Sequence, residues 1–189
     1  MTAITLLLLV FVVVVVLLIL SVVGFNRLRT ADVGAQEALG GIDVQLTRRA
    51  DLIPNLVETV KGYAAHEKGV FEEVTRARAG VQQAAAGDDV PAKAAADAQL
   101  QGALINLNAV AENYPDLKAN QNFLDLQRQL ADTENQISFA RQYYNDAVAT
   151  LNKLVRTIPW MLFSGMAGVH QREFYEAPSG QEQAPTVQF

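Results

Sequence analysis

Residues 123–158 read FLDLQRQLADTENQISFARQYYNDAVATLNKLVRTI. Through them Phe123, Leu126, Leu130, Thr133, Ile137, Ala140, Tyr144, Ala147, Leu151, Leu154 and Ile158 recur at steps of three or four residues without interruption. Such steps return a side chain to the same side of an α-helix, so the stretch predicts one helix of about ten turns with a continuous seam. The residues expected to pack along that seam are Phe123, Leu126, Leu130, Ile137, Tyr144, Leu151, Leu154 and Ile158, with Thr133 its lone polar interruption. Pro159 closes the helix, having no N–H to offer the preceding turn.

Upstream, Asn113-Tyr114-Pro115-Asp116 breaks a second helical segment that begins at Ala92 and sets Leu100, Leu104, Leu107 and Ala111 on one side. Ala86-Gly87-Asp88-Asp89-Val90-Pro91 reads as a turn. Before it, Val33, Leu39, Ile42, Leu46, Ile53, Leu56, Val60, Val70 and Val74 form another helical stripe, weakened locally at Gly40-Gly41. Pro54 either kinks this helix or opens a new one capped by Asp51. Alternating patterns bounded by turns are absent, so the expected class is all-α.

From Ala3 to Val23 the chain has no charge, and only Thr5 and Ser21 are polar. At about 1.5 Å per residue this run reaches across the roughly 30 Å hydrocarbon core of a bilayer. It is longer than the apolar part of a usual signal peptide, and no Lys or Arg precedes it, so a transmembrane anchor is expected in preference to a cleaved leader. A small-residue site near Gly24 is the feature that would suit cleavage. Arg27 and Arg29 flank the run on its C-terminal side, which predicts the N-terminus outside and the domain in the cytoplasm. The sequence thus divides into an anchor at 1–25, a helical bundle domain at 26–158, an apolar and aromatic segment at 159–177 and a flexible tail at 178–189.

With no cysteine, disulfides, thiolate metal sites and a Cys nucleophile are excluded. A net charge of −5 makes nucleic acid an unsuitable partner, because an acidic domain repels a phosphate backbone. His66-Glu67 begins a zinc-protease pattern, but Val70 stands where its second histidine would be. Ser138, Ser164, Ser21 and Ser179 lie in helical, apolar, membrane or tail contexts with no histidine placed to activate them. Glu72 and Glu73 are consecutive and so diverge on a helix. No catalytic, cofactor-binding or metal-binding residue is expected, and no cofactor. Asn106, Asn108, Asn135, Asn145 and Asn152 are poor helix formers inside helical patterns. They read either as a register-fixing polar network between helices or as plain solvated positions.

The stretch from Asp43 to Ala65, DVQLTRRADLIPNLVETVKGYAA with its Arg48-Arg49 and Pro54, resembles the LemA family of bacterial membrane proteins. So do Ala111-Glu-Asn-Tyr-Pro-Asp-Leu-Lys-Ala-Asn120, the run from Glu134 to Asn145 and its continuation to Ala147, and Arg172-Glu-Phe-Tyr-Glu-Ala177, together covering about residues 25 to 177. The resemblance implies an N-terminal membrane anchor, an antiparallel four-helix bundle and no established enzymatic activity, in a bacterial inner membrane. The expected partners are the lipid bilayer through residues 3–23, a second copy of the chain and an unidentified protein. The expected role is a non-enzymatic module working by protein–protein contact, for which a homo-oligomeric scaffold is one form. The alternative is an adaptor or substrate-presenting partner of a membrane protease or other membrane protein, and an enzyme with an unrecognised site is the remote third reading.

Trp160, Met161, Leu162 and Phe163 stand in an uncharged segment too short to span. A chain reversal at Pro54 would bring them back to the membrane interface; a mere kink would send them to the far end of the bundle or to a neighbouring subunit. The four-helix fold of the family favours the return.

Overall fold

The computed structural model describes residues 2–176, which form helices α1 (Thr2–Lys61), α2 (Lys68–Ala85), α3 (Val90–Ala111), α4 (Pro115–Lys118), α5 (Gln121–Arg156) and α6 (Met161–Ala167). No strand occurs among the described residues, and the protein is all-α. The tail expected at 178–189 lies outside the described residues. Two compact units divide the described chain: residues 39–142 with 174–176, and residues 2–38 with 143–173.

In the first unit the helix directions follow from pairs of contacts. Arg78 Nε donates to the Ala50 carbonyl at 2.9 Å and Lys61 lies over the Phe71 ring, so α2 runs back along α1. Lys93 reaches the Ala85 carbonyl while Asn106 donates to Glu73, so α3 reverses again against α2. Gln127 donates to Asn108 at 2.8 Å and Arg141 pairs with Asp97, which makes α5 antiparallel to α3. The result is an antiparallel four-helix bundle. Its turns are chemically specified: Asp89 caps α3 by accepting from Ala92 N at 3.0 Å, and Asn120 caps α5 by accepting from Phe123 N at 3.1 Å.

Pro54 neither ends α1 nor reverses the chain; the helix continues to Lys61 and the reversal falls at residues 62–67. A proline at position 54 deprives the carbonyl of residue 50 of its helical donor. Here Arg78 supplies a replacement N–H from α2 to that same carbonyl, and Ala50 is fully buried beneath it. The reversal is made instead by backbone bonds, with Tyr63 N and Ala64 N both turning onto the Val60 carbonyl at 3.0 and 2.9 Å.

In the second unit the side chains of Ala3–Val23 lie almost entirely exposed along α1, in a stretch long and apolar enough to cross a membrane. Ser21, inside it, satisfies its hydroxyl on the Leu17 carbonyl at 2.7 Å. Beyond this stretch Leu28, Ala35 and Ala38 are buried, as are Tyr144, Val148, Leu151 and Leu154 of α5. Val33, expected on the buried stripe, is 43% exposed; Leu28 and Ala35 take the inward positions of that turn. The seam of α5 is buried at Phe123, Leu126, Leu130, Thr133, Ile137, Tyr144, Leu151 and Leu154 and half-buried at Ala140 and Ala147, but Ile158 is 77% exposed. The helix stops at Arg156, so Ile158 has left the helical lattice and cannot extend the stripe. Gly168 ends α6 at φ 64°, a left-handed conformation that glycine adopts without a Cβ penalty.

Candidate functional site

The interior of the bundle unit holds a set of charges that the sequence analysis did not single out. Arg49, Lys93 and Asp97 are all buried. One Asp97 oxygen accepts from Arg49 Nη1 at 3.0 Å, and the other faces Arg141 and, at 3.5 Å, the Tyr175 hydroxyl. Arg49 Nη1 also lies 2.7 Å from Glu134 Oε2, a charge contact not aligned as a hydrogen bond. Two guanidinium groups are thereby balanced by two carboxylates, the condition under which buried charge is tolerated. Burial disfavours the charged form of Arg141, but Asp97, with Tyr175 and Glu134, outweighs it and holds the guanidinium above its usual pKa. Burial pushes the Tyr175 phenol well above its ordinary range, and Asp97 adds to the push. On the same helix face Lys93 pairs with Asp43, whose carboxyl burial raises despite that partner.

These residues were legible by register. Lys93 and Asp97 stand four and three residues apart ahead of Leu100, Leu104, Leu107 and Ala111, extending the same repeat. Arg49 falls likewise between Leu46 and Ile53. Their charge, usually a mark of solvent, masked a periodicity that placed them inside.

The asparagines divide. Asn106 reaches Glu73, and Asn108 accepts from Gln127, each bridging two helices at the surface; Asn135 is exposed. Asn152 clamps the chain after α6, donating to the Arg172 carbonyl and accepting from the Arg172 amide, both at 2.9 Å. Thr133 is buried and spends its hydroxyl on the Gln129 carbonyl at 2.7 Å. His66-Glu67 sits in the 62–67 turn, not on a helix.

In the other unit, the residues expected at a membrane interface or a subunit contact come together beside the end of the apolar stretch. The Phe163 ring rests on Gly24, where any Cβ would collide with it. The Arg27 guanidinium lies over the Trp160 ring, 4.8 Å from its centre. Arg29 pairs with Asp32 at 3.4 Å, and Asp32 also holds Arg172 at 2.8 Å. Within this unit Trp160 and Phe163 thus lie against α1, at Arg27 and Gly24. Asn26, Arg27, Thr30, Ala31, Thr150, Lys153, Leu154, Thr157 and Trp160 line a recess of ≈ 630 Å³ there.

An exposed apolar helix stretch of bilayer length that continues into an antiparallel helical bundle defines a membrane-associated all-α protein. The chain belongs to the LemA family, which matches it over residues 38–189. That match begins later than the resemblance read from the sequence and takes in the C-terminal residues that the resemblance left out. Among curated proteins, Magnetosome protein MamQ of Magnetospirillum gryphiswaldense is 26% identical over 180 residues, covering 82% of this chain and 66% of the relative. Magnetosome proteins MamQ 1 and MamQ 2 of Paramagnetospirillum magneticum are each 25% identical over 194 residues, covering 86% of this chain and 71% of the relative. The chain spans just under two thirds of the first of these relatives.

Proposed function

We propose that this protein is a non-enzymatic, single-pass membrane module that works through protein–protein contact, with self-association into a scaffold as its form. The observation that carries the reading is the contrast between charges paired inside the bundle and single apolar side chains exposed on its surface. Arg49, Asp97, Glu134 and Arg141 are engaged with one another, while Phe139 is 70% exposed and Val44 and Ile105 are 63% and 61% exposed. Exposed aromatic and aliphatic side chains on a charged surface are the usual anchors of a contact, and mutual neutralisation leaves the buried charges little to offer a substrate. Relatives named as magnetosome proteins, a name for a component and not for a reaction, agree with a structural role.

The span at 3–23 would place the domain in the cytoplasm, with Arg27 and Arg29 as the flanking determinants. A reporter active only in the cytoplasm, fused after Phe189, should be active; activity solely of an exported reporter overturns the orientation. For the contact itself, the full chain in mild detergent should sediment as more than a monomer at micromolar concentration. Phe139→Ser should weaken the association about tenfold, the loss of one modest anchor. A monomer at all concentrations, captured in equal stoichiometry by one membrane protein, would favour the adaptor role instead.

A further inference from the structure

We propose that the α5–α6 turn is a foot seated in the headgroup layer of the bilayer, and that the recess above it takes the phosphate of an anionic membrane lipid. The inference rests on the membrane anchor and not on the scaffold reading.

Height is the first argument. Phe163 is fixed against Gly24, the residue that follows the apolar run, and Trp160 against Arg27. Arg27 stands four helical steps after Val23, about 6 Å along the helix, which falls within the headgroup layer on that side of the bilayer. If α1 crosses the membrane through its apolar run, the foot is carried to the boundary by the same helix.

The second argument is the chemistry of its outer face. The foot spends Phe163 and Ala167 inward, while Ile158, Leu162 and Met166 are 77%, 70% and 65% exposed. No charged residue interrupts the chain from Thr157 to Val169. In water these side chains have no partner; against the acyl-chain boundary they continue the apolar surface of the span.

The third argument is the recess. Arg27 and Lys153 line it with no carboxylate among its lining residues, and Asn26 and Thr30 add hydrogen-bonding groups. Trp160 forms one wall, and tryptophan is enriched at this depth. Two cations beside polar groups at headgroup height suit a lipid phosphate, which both can neutralise.

Trp160 is the only tryptophan, so the full chain reports on itself. Reconstituted into vesicles, its fluorescence should be quenched several-fold more by a quencher at the shallow end of the lipid acyl chain than by one at the bilayer centre. The ratio should not change when the protein is diluted tenfold in lipid. The double variant Leu162→Glu, Met166→Glu should lose most of the quenching while circular dichroism keeps its helical signal. In phosphatidylglycerol-containing vesicles the emission should shift relative to pure phosphatidylcholine, and Lys153→Gln should abolish that difference. Absence of quenching from either depth, or quenching that fades on dilution as a subunit contact would, overturns the foot. An unchanged lipid response in Lys153→Gln overturns the phosphate site.

Discussion

In its first half α5 carries Leu130 and Ile137 beside Glu134 and Arg141, partly exposed charges that reach the buried Arg49 and Asp97. In its second half the buried residues are Tyr144, Val148, Leu151 and Leu154, apolar but for one phenol. The repeat is the same; the company differs. Around the first half, α1 and α3 place their own charges on inward stripes, so each carboxylate finds a guanidinium. In the second half's unit α1 contributes Leu28, Ala35 and Ala38, and its ion pairs, such as Asp32 with Arg172, stay partly exposed. A heptad seam therefore reports that a face is covered and leaves open what covers it.

The comparison breaks most decisively at Asp97. Removing its carboxylate leaves two guanidinium groups with Glu134 to balance them, and Asp97→Ala should cost about 3–5 kcal/mol. Urea unfolding of the full chain in detergent, followed by circular dichroism, measures this. A loss below about 1 kcal/mol would mean that water reaches the network and that it resembles a surface pair. Apolar seam positions in either half should respond through cavities alone. Leu151→Ala and Ile137→Ala should each cost about 2–5 kcal/mol, while the exposed Ile158→Ala should cost close to nothing. Equal losses at all three would restore Ile158 to the seam.

Much of this fold was readable from side-chain spacing. The α5 helix, the turn before α3 and the apolar run each follow from patterns that only one local structure satisfies. The reversal after Val60 was not readable, because Gly62-Tyr63-Ala64-Ala65 carries only a weak turn signal while Pro54 carries a strong one. What overrode the proline was a side chain from 24 residues later, Arg78, whose donation to Ala50 no local pattern reveals. The foot was half legible: its uncharged aromatic composition marked it, and its position beside Gly24 needed the fold.

The Arg78 bond gives a prediction about what the bundle half demands. Arg78→Ala should leave the Ala50 carbonyl buried without a donor, at a cost of about 1–3 kcal/mol. With Pro54→Ala present the backbone N–H returns to that carbonyl, and the same Arg78→Ala change should then cost less than half as much. A double-mutant cycle on urea midpoints reads the coupling. Additive losses would show that Arg78 acts by packing alone and that α1 passes Pro54 for another reason.

The two buried phenols sharpen the contrast with the smallest effect. Tyr144 donates to the Glu173 carbonyl at 2.9 Å in the apolar half, and Tyr175 sits against Asp97 and Arg141 in the charged one. Burial raises both above the ordinary phenol value, and at Tyr175 the Asp97 carboxylate raises it further. A raised phenol keeps its proton when folded while the unfolded chain releases it above about pH 10, so the folded state holds more protons there. Stability from each group is complete below that pH and falls as pH climbs past it, by at most about 1.4 kcal/mol per unit. Thermal melts between pH 9 and 11 should therefore steepen downward above pH 10. Tyr175→Phe should flatten that slope more than Tyr144→Phe, since the carboxylate beside Tyr175 opposes ionisation and the Arg172 charge near Tyr144 favours it. Equal slopes in the two variants would mean that both phenols keep their protons in the folded state up to about pH 11.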